Sequence, residues 1–124
     1  MLAVSGIVAR KGRVLVCRRS SEMFFGGSWE FPTFEIEDGE TAEDSLERNF
    51  FECLSVQVAG ARFIGARSMV RNPNVRFFSY GVEISQKVRW VNGYSSFKWL
   101  KINELRRIRL SPGCVTSIKT LENF

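Results

Sequence analysis

Histidine is absent from this chain of 124 residues. That absence removes histidine-based nucleophile triads, histidine general bases and zinc sets built on imidazole. Catalysis here must draw on carboxylates and a hard metal. Cysteine is scarce: Cys17, Cys53 and Cys114 stand apart with no C-x-x-C spacing. An odd number of isolated thiols makes no disulfide framework and reads as reduced cysteine in the cytosol. Long apolar runs are missing as well, since none approaches the roughly 20 residues that span a bilayer. The opening Met1-Leu2-Ala3-Val4-Ser5-Gly6 also lacks the charged start and long apolar stretch of a leader. The expectation is a soluble, cytoplasmic protein with no membrane partner.

With 44% hydrophobic residues, the length suffices for one domain, 1–124, around a single core and leaves no room for a second. The formal net charge of +5 favours anionic partners, among which nucleotides and nucleic acids both qualify. Arg62, Arg67, Arg71 and Arg76 are spread along a strand and turn region, whereas Lys101, Arg106, Arg107 and Arg109 gather near the C-terminus. A solvated surface explains both groups without a partner. The sequence fixes no oligomeric state.

Alternation through Leu2 to Ala9, a Lys11-Gly12 turn and the apolar run Val14 to Cys17 predict a strand hairpin. Met23-Phe24-Phe25-Gly26-Gly27-Ser28 holds too much glycine for a helix interior and reads as a loop before the extended segment Trp29-Glu30-Phe31-Pro32. Thr41, with Asp44 three residues on, predicts a capped helix from Ala42. Its apolar face is Ala42, Leu46, Phe50, Cys53 and Leu54, with Ser45, Arg48, Asn49 and Glu52 on the adjoining stripe. Further strands are expected at about Val56 to Ala61, Arg62 to Val70, Arg76 to Ile84 and Phe97 to Leu100, with turns at Arg71 to Asn74 and Asn92-Gly93. A short helical turn from Asn103 to Arg107 and a helix opened by Ser111-Pro112 and running towards Leu121 close the chain. This order predicts an α/β (α+β) domain with a mixed sheet between helices.

The segment from Phe34 to Val56 resembles the Nudix box: a Gly, five residues, a Glu, seven residues, then Arg-Glu-aliphatic-x-Glu-Glu-x-Gly-aliphatic. Glu40 and Arg48 hold their places with seven residues between them. Phe34 replaces the first glycine, Asn49 the first helix glutamate, Cys53 the third and Ser55 the closing glycine, and Glu52 is kept. Val14 to Arg19 followed by Gly27-Ser28-Trp29-Glu30-Phe31-Pro32 is similar to the opening of MutT-like nucleotide pyrophosphohydrolases. Trp99-Leu100, Glu104-Leu105 and Leu110-Ser111-Pro112 are similar to their final strand and helix.

This resemblance implies a Nudix-type α/β/α sandwich that holds magnesium, or manganese, against a pyrophosphate. It implies Glu52 as a metal ligand, Arg48 as the group that orients the box carboxylates, and Thr33 as a site whose backbone carbonyl helps hold metal, with Glu40 beside them. Asn49 falls where a catalytic carboxylate stands, and Lys98 where relatives often carry a metal-binding glutamate, a place from which a lysine would bind substrate phosphate directly. For substrate it implies Arg18 and Cys114, the latter at a base-reading position, with Trp29, Phe31 and Phe78 as stacking aromatics; strand aromatics serve equally as core. Neutral Asn and soft Cys are poor partners for magnesium, so hydrolysis is expected to be reduced or absent. Two alternatives stay open. One is an active magnesium-dependent hydrolase of nucleotides or nucleoside diphosphate compounds, rescued by Glu30, Glu35, Glu37, Asp38 or Glu83. The other is a non-catalytic module binding a nucleotide, another phosphorylated small molecule, RNA or protein.

Overall fold

The alternating residues of Leu2–Ile7 (β1) send Val4 to one face of a sheet and Ser5 and Ile7 to the other, the two-residue period that a strand imposes. The other strands are β2 (Ala9–Arg10), β3 (Arg13–Arg19), β4 (Trp29–Glu30), β5 (Thr33–Glu35), β6 (Val58–Ser68), β7 (Arg76–Ile84) and β8 (Tyr94–Leu100). The helices are α1 (Ala42–Leu54) and α2 (Pro112–Leu121), and a 3₁₀ turn spans Ile102–Arg107. The computed structural model describes residues 1–69 and 71–121.

Two sheets result. One has the order β5-β1-β7-β6, with β1 parallel to β7 and the other pairs antiparallel. The second is built on β3, which pairs with β8, β2 and β4. Leu46, Phe50 and Leu54 of α1 pack on Val4, Leu15, Cys17 and Val82, while Val14, Val16, Ile7 and Phe31 face Cys114 of α2 and Leu105. Helices therefore cover both faces of a mixed sheet, as the element order implied. No helix among the described residues is long and apolar enough to cross a membrane.

Three expected boundaries move. The hairpin of Leu2 to Ala9 with the Val14 run shrinks to β2 and β3, because the chain leaves the first sheet after Ile7 and only Ala9 and Arg10 pair with β3. Lys11 and Gly12, at φ 53° and 76°, make the left-handed two-residue turn that such a hairpin demands. The two strands expected across Val56 to Val70 are one, β6, with register shifts at Val58/Gly60 and Phe63/Gly65 that bend it without ending it; Val70 lies outside the described residues. The last strand begins at Tyr94, three residues ahead of Phe97.

The α1 helix starts where its cap requires: Thr41 Oγ1 accepts from the Asp44 amide at 3.0 Å. It ends at Ser55, held left-handed at φ 57° with its amide donating to the Phe51 carbonyl at 3.1 Å. Its buried face approaches β1 so closely that a methyl group on Gly6 would meet the Phe50 ring at 2.6 Å. A left-handed residue with a side chain is strained, and glycine is the usual occupant of such a cap. Ser55→Gly is accordingly expected to stabilise the fold by about 1 kcal/mol, read as a raised denaturation midpoint. An unchanged or lowered midpoint would refute the strain.

Candidate active site at the box helix

The stripe expected to carry chemistry is brought together on α1, but its polar groups are spent on one another. Arg48 Nε and Nη2 donate to both oxygens of Glu40, at 3.0 and 2.9 Å. The same guanidinium lies 3.6 Å from Glu37 and 3.5 Å from Glu52, the latter one helical turn on. Hydrogen bonding from Arg48, helped by the Glu37 amide, holds the Glu40 carboxyl down at about 2. Asn49 turns its amide back on its own helix, donating to the Ser45 carbonyl at 2.8 Å and the Ser45 hydroxyl at 3.2 Å. Of the residues carried over from the box, Glu52 is the carboxylate left most exposed, at 57%.

Cys53 is half-buried, and desolvation pushes its thiol up, so it stands as a neutral, protonated group near pH 7. Burial does the same to Cys17 and takes Cys114 to about 12. Thr33 forms a tight exchange with Tyr94: its amide donates to the Tyr94 hydroxyl at 3.0 Å, and that hydroxyl contacts the Thr33 carbonyl at 3.2 Å. Magnesium prefers several hard oxygens. No group of three or more Asp, Glu or Cys among the described residues is arranged to hold a metal ion. Two glutamates held at one arginine, an inward-turned amide and a protonated thiol are a poor donor set for that ion as they stand.

Of the compensating carboxylates, Glu37 reaches the box through Arg48, but Glu30 and Glu83 do not. Glu30 is buried and accepts from Arg19 at 3.2 Å, from Tyr94 at 2.7 Å and from Ser111 at 2.9 Å. Glu83 alternates with Val82, which packs under α1, and so points to the opposite face. Lys98 lies on the face turned from α1 for the same reason. It pairs across from Val16, away from α1, and its Nζ sits 4.2 Å from the centre of the Trp29 ring.

Of the expected substrate residues, Arg18, Trp29 and Lys98 converge, with the Arg18 guanidinium 5.9 Å from the same ring. Phe31 and Cys114 do not join them. Both are fully buried in the cluster under α2 and act as core. Phe78 belongs to the cluster on the other face, with Arg76 over its ring at 5.8 Å. Sequence reasoning missed Arg19 and Tyr94, which hold Glu30. The signal for them was Glu30 itself, a charge inside a short apolar strand that had to find partners if buried.

A cleft of about 130 Å³ opens beside the box, lined by Met23 and Arg19, by Thr33 and Phe34 of β5, by Cys53 of α1, and by Asn92 to Tyr94. Pockets that enclose a small ligand usually measure about 300–1,000 Å³; this cleft falls below that range, and a more open one of about 530 Å³ lies along α1 beside Glu47, Arg48 and Phe51.

The layered sheets with one capped box helix define a fold shared with MutT-type proteins. The MutT protein of Methanosarcina mazei superposes with a TM-score of 0.82 at 16% identity, covering 99% of this chain and 91% of that one. The NUDIX domain of Shewanella oneidensis NrtR, solved with ADP ribose, superposes with a TM-score of 0.77 at 18% identity, covering 99% and 86%. A family model of the NUDIX domain matches residues 1–121; the chain belongs to this family. It is also 35% identical over 89 residues to an RNA pyrophosphohydrolase of Erwinia tasmaniensis, a match covering 68% of this chain and 49% of that protein. The chain thus spans about half the length of the curated relatives it matches.

The Glu40–Arg48 pair sets a pH dependence with a definite sign. A carboxyl held below its ordinary range contributes stability that is present above that range and lost as the pH falls towards about 2. Wild-type protein is expected to be more stable than Glu40→Gln at neutral pH, and the difference to shrink on acidification towards about pH 2. Denaturant midpoints of both proteins across that range measure it. A gap that stays constant would show that the pair adds no charge-dependent stability.

Proposed function

We propose that this protein uses the Nudix fold to bind a nucleotide or a related phosphorylated ligand, with pyrophosphohydrolysis reduced or absent. The observation that carries this reading is the helix face itself, where Asn49 bonds back to Ser45 and Cys53 stands as a protonated thiol in place of two carboxylates. Ligand charge largely sets affinity for a divalent cation, and Glu52 alone supplies little of it. Neither Asn49 nor a protonated Cys53 can accept a proton near neutral pH, so the usual general base is missing from the helix. Anion affinity rests instead on the basic balance of the chain and on Arg18 and Lys98. The names of similar proteins, an RNA pyrophosphohydrolase and a NUDIX domain solved with ADP ribose, support a nucleotide-type ligand. A cytoplasmic setting fits the three unpaired thiols.

A second reading keeps the enzyme active with magnesium or manganese. It is favoured by Glu37 and Glu52, both exposed and both drawn towards the Arg48 guanidinium, at 3.6 and 3.5 Å. Phosphate and pyrophosphate release from a panel of nucleotides and 5′-triphosphorylated RNA, with either metal, separates the two. Release at background for wild type and for Glu52→Gln alike is expected; turnover that Glu52→Gln abolishes would overturn the first reading.

Restoring carboxylates tests the cause. Asn49→Glu combined with Cys53→Glu is expected to bind magnesium where wild type does not, seen as a thermal midpoint that rises by a few degrees with added metal. A midpoint indifferent to metal would place the obstacle in the Glu40–Arg48 pair and not in the two substituted residues.

A further inference from the structure

The loop between β3 and β4 spends backbone order on exposing aromatic rings. Phe24 is 86% and Phe25 50% exposed, an arrangement that solvation alone disfavours. The exposure does not come from slack. Arg19 Nε donates to the Phe24 carbonyl at 2.7 Å and Arg18 Nε to the Gly27 carbonyl at 3.2 Å. The amides of Gly26, Gly27 and Ser28 donate to Met23, Arg19 and Phe25 at 3.0, 2.8 and 3.1 Å. Phe25 is held at φ 57°, and a methyl group on Gly26 would strike the Ser20 carbonyl at 2.7 Å. The loop is a built display for two side chains.

What it displays stands next to charge. The chain runs from this loop directly into Trp29, over whose ring lie Lys98 and Arg18, while Met23 of the same loop walls the cleft beside the box. The Phe24 and Phe25 rings, with centroids 6.5 Å apart and planes tilted by 46°, offer separate faces and no single apolar wedge. Aromatic faces interleaved with cations are the chemistry that holds single-stranded nucleic acid, with bases stacking on rings and phosphates meeting arginine and lysine.

We propose that the Ser20–Ser28 loop, together with Arg18, Trp29 and Lys98, is a platform for single-stranded nucleic acid. The proposal rests on the reading of this protein as a nucleotide binder and is independent of whether it hydrolyses what it binds. Separate rings and separate cations let successive nucleotides contact this surface at once, so strand length adds affinity.

Fluorescence anisotropy with a labelled short oligouridylate and, separately, a labelled uridine triphosphate tests it. The oligomer should bind more tightly than the mononucleotide, with an affinity that falls steeply as salt rises from about 50 to 200 mM. Phe24→Ala with Phe25→Ala should weaken the oligomer by at least about fivefold and leave the mononucleotide and the thermal midpoint unchanged. Lys98→Ala should weaken the oligomer and lower the salt slope by about one. Equal affinity for both ligands, or an oligomer indifferent to the two phenylalanine changes, would overturn the platform while leaving the nucleotide-binding reading in place. Binding of neither ligand would overturn both. Sedimentation with anionic vesicles that depends on Phe24 and Phe25, without oligomer binding, would assign the loop to a membrane surface and overturn the proposal.

Discussion

A buried carboxylate organises this molecule. Glu30 is almost wholly removed from water, and its charge is met by Arg19 of β3, the Tyr94 hydroxyl of β8 and the Ser111 hydroxyl that opens α2. Removing one member of such a buried pair commonly costs about 3–5 kcal/mol, because the partner is left charged and unsolvated. The same bonds fix three pieces of chain around it. Ser111 holds the start of α2, and its hydroxyl also accepts from the Cys114 amide. Tyr94 reaches on to both backbone groups of Thr33, and Arg19 reaches on to the Phe24 carbonyl of the display loop. Burial and hydrogen bonding to Glu30 keep the Tyr94 hydroxyl protonated far above neutral pH, so the assembly does not titrate through it under ordinary conditions.

The box helix shows a second polar arrangement put to a different use. Glu40, Arg48, Glu37 and Glu52 form a network at the surface of α1. An isolated exposed ion pair contributes little, but two-pronged arginine–carboxylate geometry is the favourable exception. In this protein the network braces the loop before the helix against the helix itself. The residues that establish family membership therefore also hold the shape of this end of the domain.

Much of the fold was legible because its signals are local. Thr41, the apolar spacing of α1 and Ser111-Pro112 each specify a backbone state within a few residues, and the structure places both helices where they point. The site was less legible because strand side chains alternate. A shift of one residue exchanges faces, so Lys98 and Glu83 were expected near α1 and stand on the other side. Phe31 and Cys114 could not be told from core by type, since an aromatic ring and a small thiol serve a pocket or an interior equally well. Tyr94 was hidden by the expected start of the last strand at Phe97, and the network it joins links residues 64 positions apart.

The parallel pairing of β1 with β7 carries a consequence for synthesis. Leu2 lies opposite Arg76 and Ile7 opposite Gly81, so the inner edge of β1 has no partner until the ribosome has made more than half of the chain. At roughly 5–20 residues per second, β1 waits about 4–15 s for β7. During that wait its other edge can already be occupied by β5, whose register with Ala3 to Ser5 closes over about 30 residues. The β1–β5 pair is thus positioned to form first and shelter Val4, and β7 completes the sheet on a template that has been waiting for it.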